Sequence, residues 1–409
     1  MMKCGLLGGK LGHSYSPQIH AFLGDYPYTL FEKAPDEIGD FLKNGDFTGI
    51  NVTIPYKKDV IPYCAELSPR AARLGAVNTI VRRPDGSLIG HNTDYFGFET
   101  MLRHSGVAVK GKKALVLGSG GASNTAVAVL RDYGAEVIVI SRSGANNYDN
   151  LHLHPDAALI VNATPVGMYP KAGVSPVDLQ LFPRLEGVLD MIYNPARTRL
   201  LLDAENRGVT AMNGLLMLVA QAHESAQWFL GRSLSPDLIS MIHQNLRSQM
   251  ENIILIGMPG SGKSTVGSIL AQKTGRKFMD ADAYLAEKTG RTIPEIFASD
   301  GEAGFRALET QILRELGMQS GLIIATGGGC VTREENHPLL HQNGSIFCLD
   351  RALDELPTEG RPLSQITSLA DMYKTRRPMY ARFADYHIDN NGDPHTAAMH
   401  ILEILEGKP

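Results

Sequence analysis

A glycine-rich turn in the second half of the chain fits a phosphate-binding loop. Residues 257–265 read GMPGSGKST, which matches GxxxxGK[ST], between an apolar strand and a helical segment. Backbone N–H groups and the positive helix end would surround phosphate oxygens, with Lys263 at the terminal phosphates and the Ser264 hydroxyl on Mg²⁺. The pattern therefore predicts a nucleotide site formed by Gly260, Ser261, Gly262, Lys263, Ser264 and Thr265.

Two aspartates, Asp280 and Asp282, follow at the end of the next predicted strand. Side chains at i and i+2 of a strand point to one face, so both carboxylates are expected beside the nucleotide loop. We expect Asp280 to serve the metal ion and Asp282 to serve a substrate hydroxyl. Two solvated turn carboxylates are the alternative reading.

A second glycine-rich turn, GSGGA at 118–122, ends a predicted strand in the first half. It is an incomplete dinucleotide pattern, which an ordinary turn between strand and helix would also explain. Arg142 follows the next strand, where an NAD site has an acidic residue, and it suits the 2′-phosphate of NADP unless it is a solvated turn residue. The predicted NADP(H) residues on these turns are Gly118, Ser119, Gly120, Gly121, Ala122, Ser141, Arg142 and Ser143.

Four polar motifs in the first hundred residues could form a small-molecule site. They read SYS at 14–16, NVTIPYK at 51–57, GAVNT at 75–79 and GHNTD at 90–94. The two serine hydroxyls suit a carboxylate, and Lys57 lies just past a predicted strand. A single lysine or aspartate near a turn is usually a solvent-exposed surface residue. Four such polar motifs in succession along the chain favour a substrate-binding site.

The elements that must position these residues are short strands alternating with helices. We predict strands at 4–7, 28–33, 49–54, 79–82, 88–90, 113–118, 137–141, 159–163, 187–191 and 252–257. This alternation predicts parallel sheets of βαβ units, and the apolar runs 114–117 and 137–140 suit strands buried on both faces. Residues 233–251 are expected to form a helix and then a polar connection, with the domain boundary near residue 250.

Composition excludes several classes of function. The 409 residues suffice for two or three folding units, and a net charge of −4 argues against a nucleic-acid or membrane surface. Cys4, Cys64, Cys330 and Cys348 are scattered, without a CxxC pair or a nearby histidine cluster. We therefore expect buried reduced thiols rather than a disulfide framework or a zinc site. Without a signal-peptide pattern or a membrane-spanning stretch, the cytoplasm is the expected compartment.

The second half resembles the shikimate kinase family over about residues 251–405. The resemblance rests on the nucleotide loop and on DAD at 280–282, GEAGFRALE at 301–309, TGGG at 326–329, RPL at 361–363 and RRPMY at 376–380. It implies a compact P-loop α/β/α domain over 251–409 that phosphorylates the 3-hydroxyl of shikimate with ATP and Mg²⁺.

This resemblance also implies roles for individual residues. Asp282 would bind shikimate and orient or deprotonate the attacking hydroxyl, and Arg306 and Arg376 would clamp the substrate carboxylate. Gly328 would bring backbone against the substrate hydroxyls. Arg361 would close over ATP and, with Lys263, complete the catalytic set. Residues 349–360 are shorter and more acidic than is usual in the family, so a non-catalytic nucleotide-sensing domain is the alternative.

The first half closely resembles the shikimate dehydrogenase family over about residues 3–248. The polar motifs above carry the resemblance, together with NATP at 162–165 and DMIYNP at 190–195. It implies a two-lobed α/β domain over 1–250 that reduces 3-dehydroshikimate with NADPH. The substrate lobe would comprise 1–105 and a returning helix over 214–248, and the Rossmann-type NADP lobe would comprise 106–213.

Within this family Lys57 and Asp94 would form the catalytic pair, with Lys57 the proton donor and acceptor at the C3 oxygen. Met191 and Gly214 would lie beside the nicotinamide ring. His13 and His20 could act as acid–base groups, but we interpret both as structural residues. The implied substrate contacts are Ser14, Ser16, Thr53, Asn78, Asp94, Tyr193 and Gln221.

The two resemblances together predict a bifunctional enzyme in which shikimate is the product of the first half and the substrate of the second. A quinate or broad-specificity dehydrogenase that uses NAD is the alternative for the first half, and Arg142 argues against it. The expected partners are these small molecules, and the sequence leaves monomer and homodimer open.

Overall fold

The structure, a computed structural model, describes residues 2–12, 14–356 and 369–407. None of the helices in these ranges combines the length and apolar character that crossing a membrane would demand. The chain forms two compact units. The first comprises Met1–Met168, Val174–Tyr193 and Leu200–Asn245, and the second comprises Tyr169–Gly173, Asn194–Arg199 and Leu246–Pro409.

The first sheet of the first unit is mixed. Its strands are β1 (Cys4–Gly8), β2 (Tyr28–Glu32), β3 (Gly49–Val52), β4 (Glu66–Leu67), β5 (Thr79–Arg82) and β6 (Leu88–His91), in the order β2-β1-β3-β5-β6-β4. Strand β1 is parallel to β2 and β3, but β5 is antiparallel to β3 and β6. The expectation of parallel sheets throughout is therefore wrong here. The connection 83–87 is too short for the crossover that parallel strands need.

The second sheet of this unit is parallel. Its strands are β7 (Lys113–Leu117), β8 (Glu136–Ile140), β9 (Leu159–Asn162), β10 (Gly187–Asp190) and β11 (Thr210–Met212), in the order β11-β10-β9-β7-β8. Residues 114–117 of β7 are buried as expected. The same expectation is wrong for β8, in which only Ile140 is buried, because β8 lies at the sheet edge with a neighbour on one side.

Helices cover both sheets of the first unit. They are α1 (Ser16–Leu23), α2 (Ile38–Asn44), α3 (Pro69–Leu74), α4 (Asp94–Ser105), α5 (Gly121–Asp132), α6 (Arg199–Asn206) and α7 (Leu215–Leu230). A further helix, α8 (Asp237–Met250), begins in the first unit, and its residues from Leu246 onward belong to the second. The expected single returning helix is two helices, because Gly231 ends α7 in a left-handed conformation. The expected polar connection after it is also wrong, since α8 continues to Met250.

The second unit is a parallel sheet between two helical layers. Its strands are β12 (Asn252–Ile256), β13 (Phe278–Asp280), β14 (Ile323–Ala325), β15 (Gly344–Asp350) and β16 (Tyr386–Asp389), in the order β13-β14-β12-β15-β16. Central strand β12 is buried throughout. Ile254 and Ile256 join the apolar cluster on one face, while Ile253 and Leu255 join the cluster on the other. This alternation explains why the strand is apolar at every core position.

The helices of the second unit are α9 (Lys263–Thr274), α10 (Ala281–Thr289), α11 (Ile293–Gly317), α12 (Asn336–His341), α13 (Leu369–Phe383) and α14 (Pro394–Glu406). A capping box starts α11, in which Thr292 and Glu295 each bond the other's backbone N–H, and Pro294 occupies its first turn. The backbone breaks at Gly301, which divides α11 into two helical parts. The strands predicted from the sequence are all present, with ends that shift by one or two residues.

We predict that Ile50→Ala lowers the free energy of unfolding of the first unit by about 2–5 kcal/mol, because it leaves a cavity at a fully buried position. Ile54→Ala is the matched control, since Ile54 is 78% exposed and its truncation should cost less than about 0.5 kcal/mol. Urea denaturation followed by the fluorescence of Trp228, the single tryptophan, measures both. Equal losses in the two variants would contradict the core position of Ile50.

Candidate active sites

The nucleotide loop of the second unit lies between β12 and α9. The Lys263 ammonium group is buried and donates to the carbonyl oxygens of two loop residues, each at 3.0 Å. The Asn390 side chain, just after β16, donates to the Ser261 carbonyl oxygen at 2.7 Å. These bonds hold the loop curved at the start of α9, where the positive end of the helix favours an anion.

Asp280 and Asp282 lie beside this loop, but not on one strand. Asp280 ends β13 and accepts from the Ser264 hydroxyl at 2.8 Å. It also caps α10, accepting from the Asp282 N–H at 3.1 Å, so Asp282 lies in a helical turn. The expectation that i and i+2 strand geometry aligns them is wrong, because α10 begins at Ala281. Both carboxylates nevertheless line one pocket, and burial, with nearby Asp280, raises the pKa of Asp282.

This pocket has a volume of about 570 Å³. The nucleotide loop forms one side, and the glycine run 327–329, Arg306 and Arg376 line the rest. A Cβ atom on Gly329 would lie 2.1 Å from Arg306 Nη2, so any side chain at this position would displace the guanidinium. Arg376 Nη1 donates to the Gly328 carbonyl oxygen at 3.1 Å. Arg361, also predicted for this site, lies outside the described residues.

Arg306 is held by two carboxylates on its own helix. It is 7% exposed, and its Nη1 donates at 2.8 Å to Glu309, which is only 2% exposed. Its Nη2 reaches the exposed Glu302 at 3.4 Å. Burial raises the pKa of Glu309, and the Asp282 charge adds to that effect. A buried carboxylate thus compensates the charge of the buried guanidinium.

In the first unit Lys57 and Asp94 form a close pair. Lys57 Nζ donates to Asp94 Oδ2 at 2.6 Å. The other carboxylate oxygen accepts from Asn78 Nδ2 at 2.9 Å, and Asn78 Oδ1 accepts from the Thr93 N–H at 2.7 Å. Asp94 is therefore fixed through both oxygens at the first residue of α4.

Hydrogen bonds continue from Asn78 into the sheet. The Thr79 hydroxyl donates to Asn78 Oδ1 at 3.2 Å, and Asn51 Nδ2 donates to the Thr79 hydroxyl at 3.1 Å. The Tyr28 hydroxyl donates to Asn51 Oδ1 at 2.8 Å and also interacts with the Ser16 side chain. Burial raises the pKa of Tyr28 well above its usual range. The network thus extends from the acid–base pair to Ser16.

The remaining predicted substrate contacts lie around this network. The Ser16 N–H donates to Ser14 Oγ at 3.2 Å. Between the two serines, the Tyr15 ring meets Tyr193 edge-on, with centroids 6.0 Å apart. Half-buried Thr53 follows β3. Gln221 instead donates to a carbonyl of its own helix at 2.8 Å, although its Cβ lies against Gly97 on α4.

Of the two histidines read as structural, His20 is 1% exposed and stacks on Tyr28, with ring centroids 4.0 Å apart. Its Nδ1 contacts the Tyr26 hydroxyl at 2.8 Å. Burial lowers the pKa of His20 to about 3, so the ring is neutral near pH 7. His13 lies outside the described residues.

The predicted cofactor residues follow the parallel strands of the second sheet. The Gly118 N–H donates to the Ile140 carbonyl oxygen at 2.8 Å, which joins the turn after β7 to the segment after β8. Residues 119–122 are exposed at the start of α5, and Arg142 and Ser143 are exposed beyond half-buried Ser141. Met191 and Gly214 touch, since a Cβ on Gly214 would lie 2.2 Å from the Met191 carbonyl oxygen.

Comparison with known proteins identifies the first unit. The family model of the shikimate dehydrogenase substrate binding domain matches residues 6–80. A shikimate dehydrogenase (NADP(+)) of Clostridium beijerinckii is 37% identical over 239 residues, which cover 53% of this chain and 88% of that relative. The chain belongs to the shikimate dehydrogenase family. The model of the shikimate kinase family matches residues 259–406, so this dehydrogenase also contains a shikimate kinase domain.

Solved structures agree with the shikimate dehydrogenase fold. A chorismate mutase/shikimate 5-dehydrogenase fusion protein from Clostridium acetobutylicum is 37% identical, with a TM-score of 0.57, covering 60% of this chain and 97% of that one. A shikimate 5-dehydrogenase from Thermus thermophilus in complex with NADP(H) and shikimate is 31% identical, with a TM-score of 0.54, covering 60% and 99%. The predicted fold is confirmed, and the chain is a bifunctional enzyme of the shikimate pathway.

Several residues of both sites were not predicted as site residues. In the shikimate dehydrogenase unit these are Tyr28, Asn51 and Thr79, which connect the acid–base pair to Ser16. In the kinase domain they are Glu309 and Asn390. Glu309 had a sequence signal, because it lies three residues after Arg306, a spacing that brings two side chains together on a helix. Asn390 and Tyr28 reach their sites from other strands, which sequence spacing does not reveal.

Glu309→Ala is expected to destabilise the second unit by about 3–5 kcal/mol, because Arg306 would stay buried without its nearest counter-charge. Glu302→Ala, the control on the same guanidinium, should have a much smaller effect, because the Glu302 side chain is 56% exposed. Hydrogen exchange of the β12 and β14 amides measures opening of the unit. Equal loss of protection in both variants would show that Glu309 is not what holds Arg306.

Proposed function

We propose that the first unit reduces 3-dehydroshikimate to shikimate with NADPH, and that the second unit phosphorylates the 3-hydroxyl of shikimate with ATP. The observation that carries this proposal is the clustering within each unit. Lys57 and Asp94 form a fixed acid–base pair, and Asp282, Arg306 and a nucleotide loop share one pocket. We also propose that the boundary between the dehydrogenase and kinase domains lies near residue 250.

In the dehydrogenase, Lys57 gives a proton to the C3 oxygen as the carbonyl is reduced. NADPH supplies the hydride to the C3 carbon when it is bound. Asp94 keeps the ammonium group oriented at 2.6 Å and compensates its charge. Ser14 and Ser16 bind the substrate carboxylate. The proposed contacts to the rest of the substrate are Thr53, Asn78, Tyr193 and Gln221.

We propose NADP(H) rather than NAD as the cofactor. The exposed turn 118–122 begins helix α5, which suits a pyrophosphate group, and Met191 with Gly214 would meet the nicotinamide. Ser141, Arg142 and Ser143 suit the 2′-phosphate, where an NAD enzyme has a carboxylate. The relatives from C. beijerinckii and T. thermophilus are described with NADP, which supports the assignment.

In the kinase, Asp282 accepts the proton of the attacking 3-hydroxyl, while Arg306 and Arg376 bind the shikimate carboxylate. Gly328 meets the substrate hydroxyls, and Lys263 with Arg361 stabilises charge on the transferred phosphoryl group. Loop residues 260–265 surround the phosphates.

We also propose that Ser264 and Asp280 hold the magnesium ion of this reaction. The two side chains lie 2.8 Å apart and offer a hydroxyl and a carboxylate oxygen, which are donors that Mg²⁺ prefers. When bound, Mg²⁺ would offset charge on the phosphates. We further propose that the enzyme works in the cytoplasm, on small molecules alone, as a monomer or homodimer.

A one-pot assay on the full-length chain tests both activities. It receives 3-dehydroshikimate, NADPH and Mg-ATP, and follows NADPH loss and ADP formation separately. We expect NADPH to be consumed at once and ADP to appear only after shikimate has formed. If neither this mixture nor added shikimate yields ADP, the second unit is a nucleotide-sensing domain. If NADH serves as well as NADPH, judged by kcat/KM, the cofactor proposal fails.

Within this assay, Lys57→Met should lower kcat for NADPH oxidation by about 10²–10⁴-fold, because the proton donor is lost. ADP formation from added shikimate should continue, which shows that the chain is folded and active elsewhere. Lys58→Met is the matched control, since the neighbouring lysine is exposed and is not one of the proposed substrate-binding residues. An equal loss in both lysine variants would refute the assignment.

Asp282→Asn should lower the ADP-forming kcat by about 10²–10⁴-fold and leave NADPH oxidation unchanged, because an amide cannot accept the hydroxyl proton. Glu287→Gln, on the exposed side of the same helix, is the control. In the wild type the kinase rate should fall on acidification, with a midpoint above the usual aspartate pKa of about 4, because burial raises the pKa of Asp282. If the kinase rate of Asp282→Asn falls on acidification with the same midpoint as that of the wild type, Asp282 is not the group that accepts the proton.

A further inference from the structure

Three potential metal ligands meet near the carboxyl ends of β15 and β16. Cys348 and Asp350 lie on β15 and His387 lies on β16, with one ligand atom from each within 4.8 Å of the others. Cys348 and His387 are partners in the register of the two parallel strands. Asp350 is two residues beyond Cys348, so its side chain projects to the same face. Strand pairing itself therefore holds the three side chains together.

Asp350 bridges the other two residues. Its Oδ2 lies 2.8 Å from His387 Nδ1, and its Oδ1 accepts from the Cys348 thiol at 3.6 Å. The thiol is nearly buried, at 2% exposure, while the side chains of Asp350 and His387 are about half exposed, at 51% and 48%. An ion could thus enter from solvent past the carboxylate and imidazole and reach the sulfur.

We propose that Cys348, Asp350 and His387 bind a divalent transition-metal ion of the Zn²⁺ type. A thiolate, an imidazole and a carboxylate are the donors that Zn²⁺ takes in proteins, whereas Mg²⁺ and Ca²⁺ prefer oxygen alone. On binding, the thiol proton is released to solvent, and the thiolate and carboxylate together neutralise the ion. Three protein ligands leave a fourth tetrahedral position for water.

The proposed metal site would link the ends of β15 and β16, and both strand ends contact the nucleotide loop. Cys348 pairs with Ile256, the last residue before that loop. A Cβ on Gly257 would lie 2.7 Å from the Leu349 carbonyl oxygen, and Asn390, just after β16, bonds the Ser261 carbonyl oxygen. Because an ion would link β15 to β16 at this end, its binding should reduce local opening of both strands.

A surface ion pair between His387 and Asp350 is the competing explanation, and the chain supplies a comparison for it. His341 and Asp385 form a similar pair in the second unit, with Nε2 and Oδ1 2.9 Å apart. A metal site needs at least three ligands close together. Among the described residues, Cys348, Asp350 and His387 form such a group, in which the three ligand atoms are close enough to bind one ion. The presence of sulfur therefore distinguishes the two pairs, and sulfur has a spectroscopic signature.

The test is a titration of the reduced, full-length chain with Co²⁺, a spectroscopic substitute for Zn²⁺. Coordination by a thiolate gives a sulfur-to-cobalt charge-transfer band in the near ultraviolet, which oxygen and nitrogen ligands do not give. We expect one equivalent of Co²⁺ to produce the band and Zn²⁺ to abolish it by displacement. Hydrogen exchange of β15 and β16 should slow when Zn²⁺ is added.

Variants assign the band to its ligands. Cys348→Ser should abolish it, and His387→Gln, at an exposed position that folding tolerates, should weaken binding at least about tenfold. Cys330→Ser is the matched control, because Cys330 is also buried in this unit but its thiol donates to the Thr326 hydroxyl. The proposal is overturned if no charge-transfer band forms, if the band persists in Cys348→Ser, or if His387→Gln binds Co²⁺ as tightly as the wild type.

Discussion

Parallel pairing of strands is the constraint that positions the cofactor turns of the first unit and the nucleotide site of the second unit. In a parallel sheet the carboxyl ends of neighbouring strands meet at one edge, so segments that are distant in sequence end side by side. The turns after β7 and β8 meet through the bond from the Gly118 N–H to the Ile140 carbonyl oxygen. In the second unit the loop after β12 meets Asp280 at the end of β13 through Ser264. Apolar strand sequences thus determine where the polar groups gather.

The polar groups at these edges are then fixed by partial burial. A charge removed from water needs a partner, and each site supplies one within hydrogen-bonding distance: Asp94 for Lys57 and Glu309 for Arg306. The first pair remains partly exposed, with side-chain exposures of 27% and 13%, which suits the proton exchange with substrate that we propose for it. The second pair is almost fully buried and suits a group that must only stay charged and oriented.

The sequence predicted much of this because its strongest signals are local. The run at 252–257 predicted a buried strand, and the glycine pattern after it predicted the loop. The predictions that were wrong concern features that depend on residues distant in sequence but adjacent in the fold. Strand β8 is as apolar as β7 but lies at a sheet edge, and Asp282 is helical because the strand ends at Asp280, which caps α10. Asn390 and His387 reach their contacts through β16, so no spacing near the loop or Cys348 reveals them.

The acceptor side of the second unit favours catalysis over nucleotide sensing. A sensor needs only the loop, Lys263 and a metal ligand. This pocket also contains buried Arg306 and Glu309 beside half-buried Asp282, and removing such charges from water disfavours folding unless a ligand uses them. Arg306 Nε and one Glu309 oxygen lack hydrogen-bond partners among the described residues, and such unsatisfied groups are costly in a purely structural core. The carboxylate of the proposed acceptor would give the Arg306 guanidinium a further charged partner.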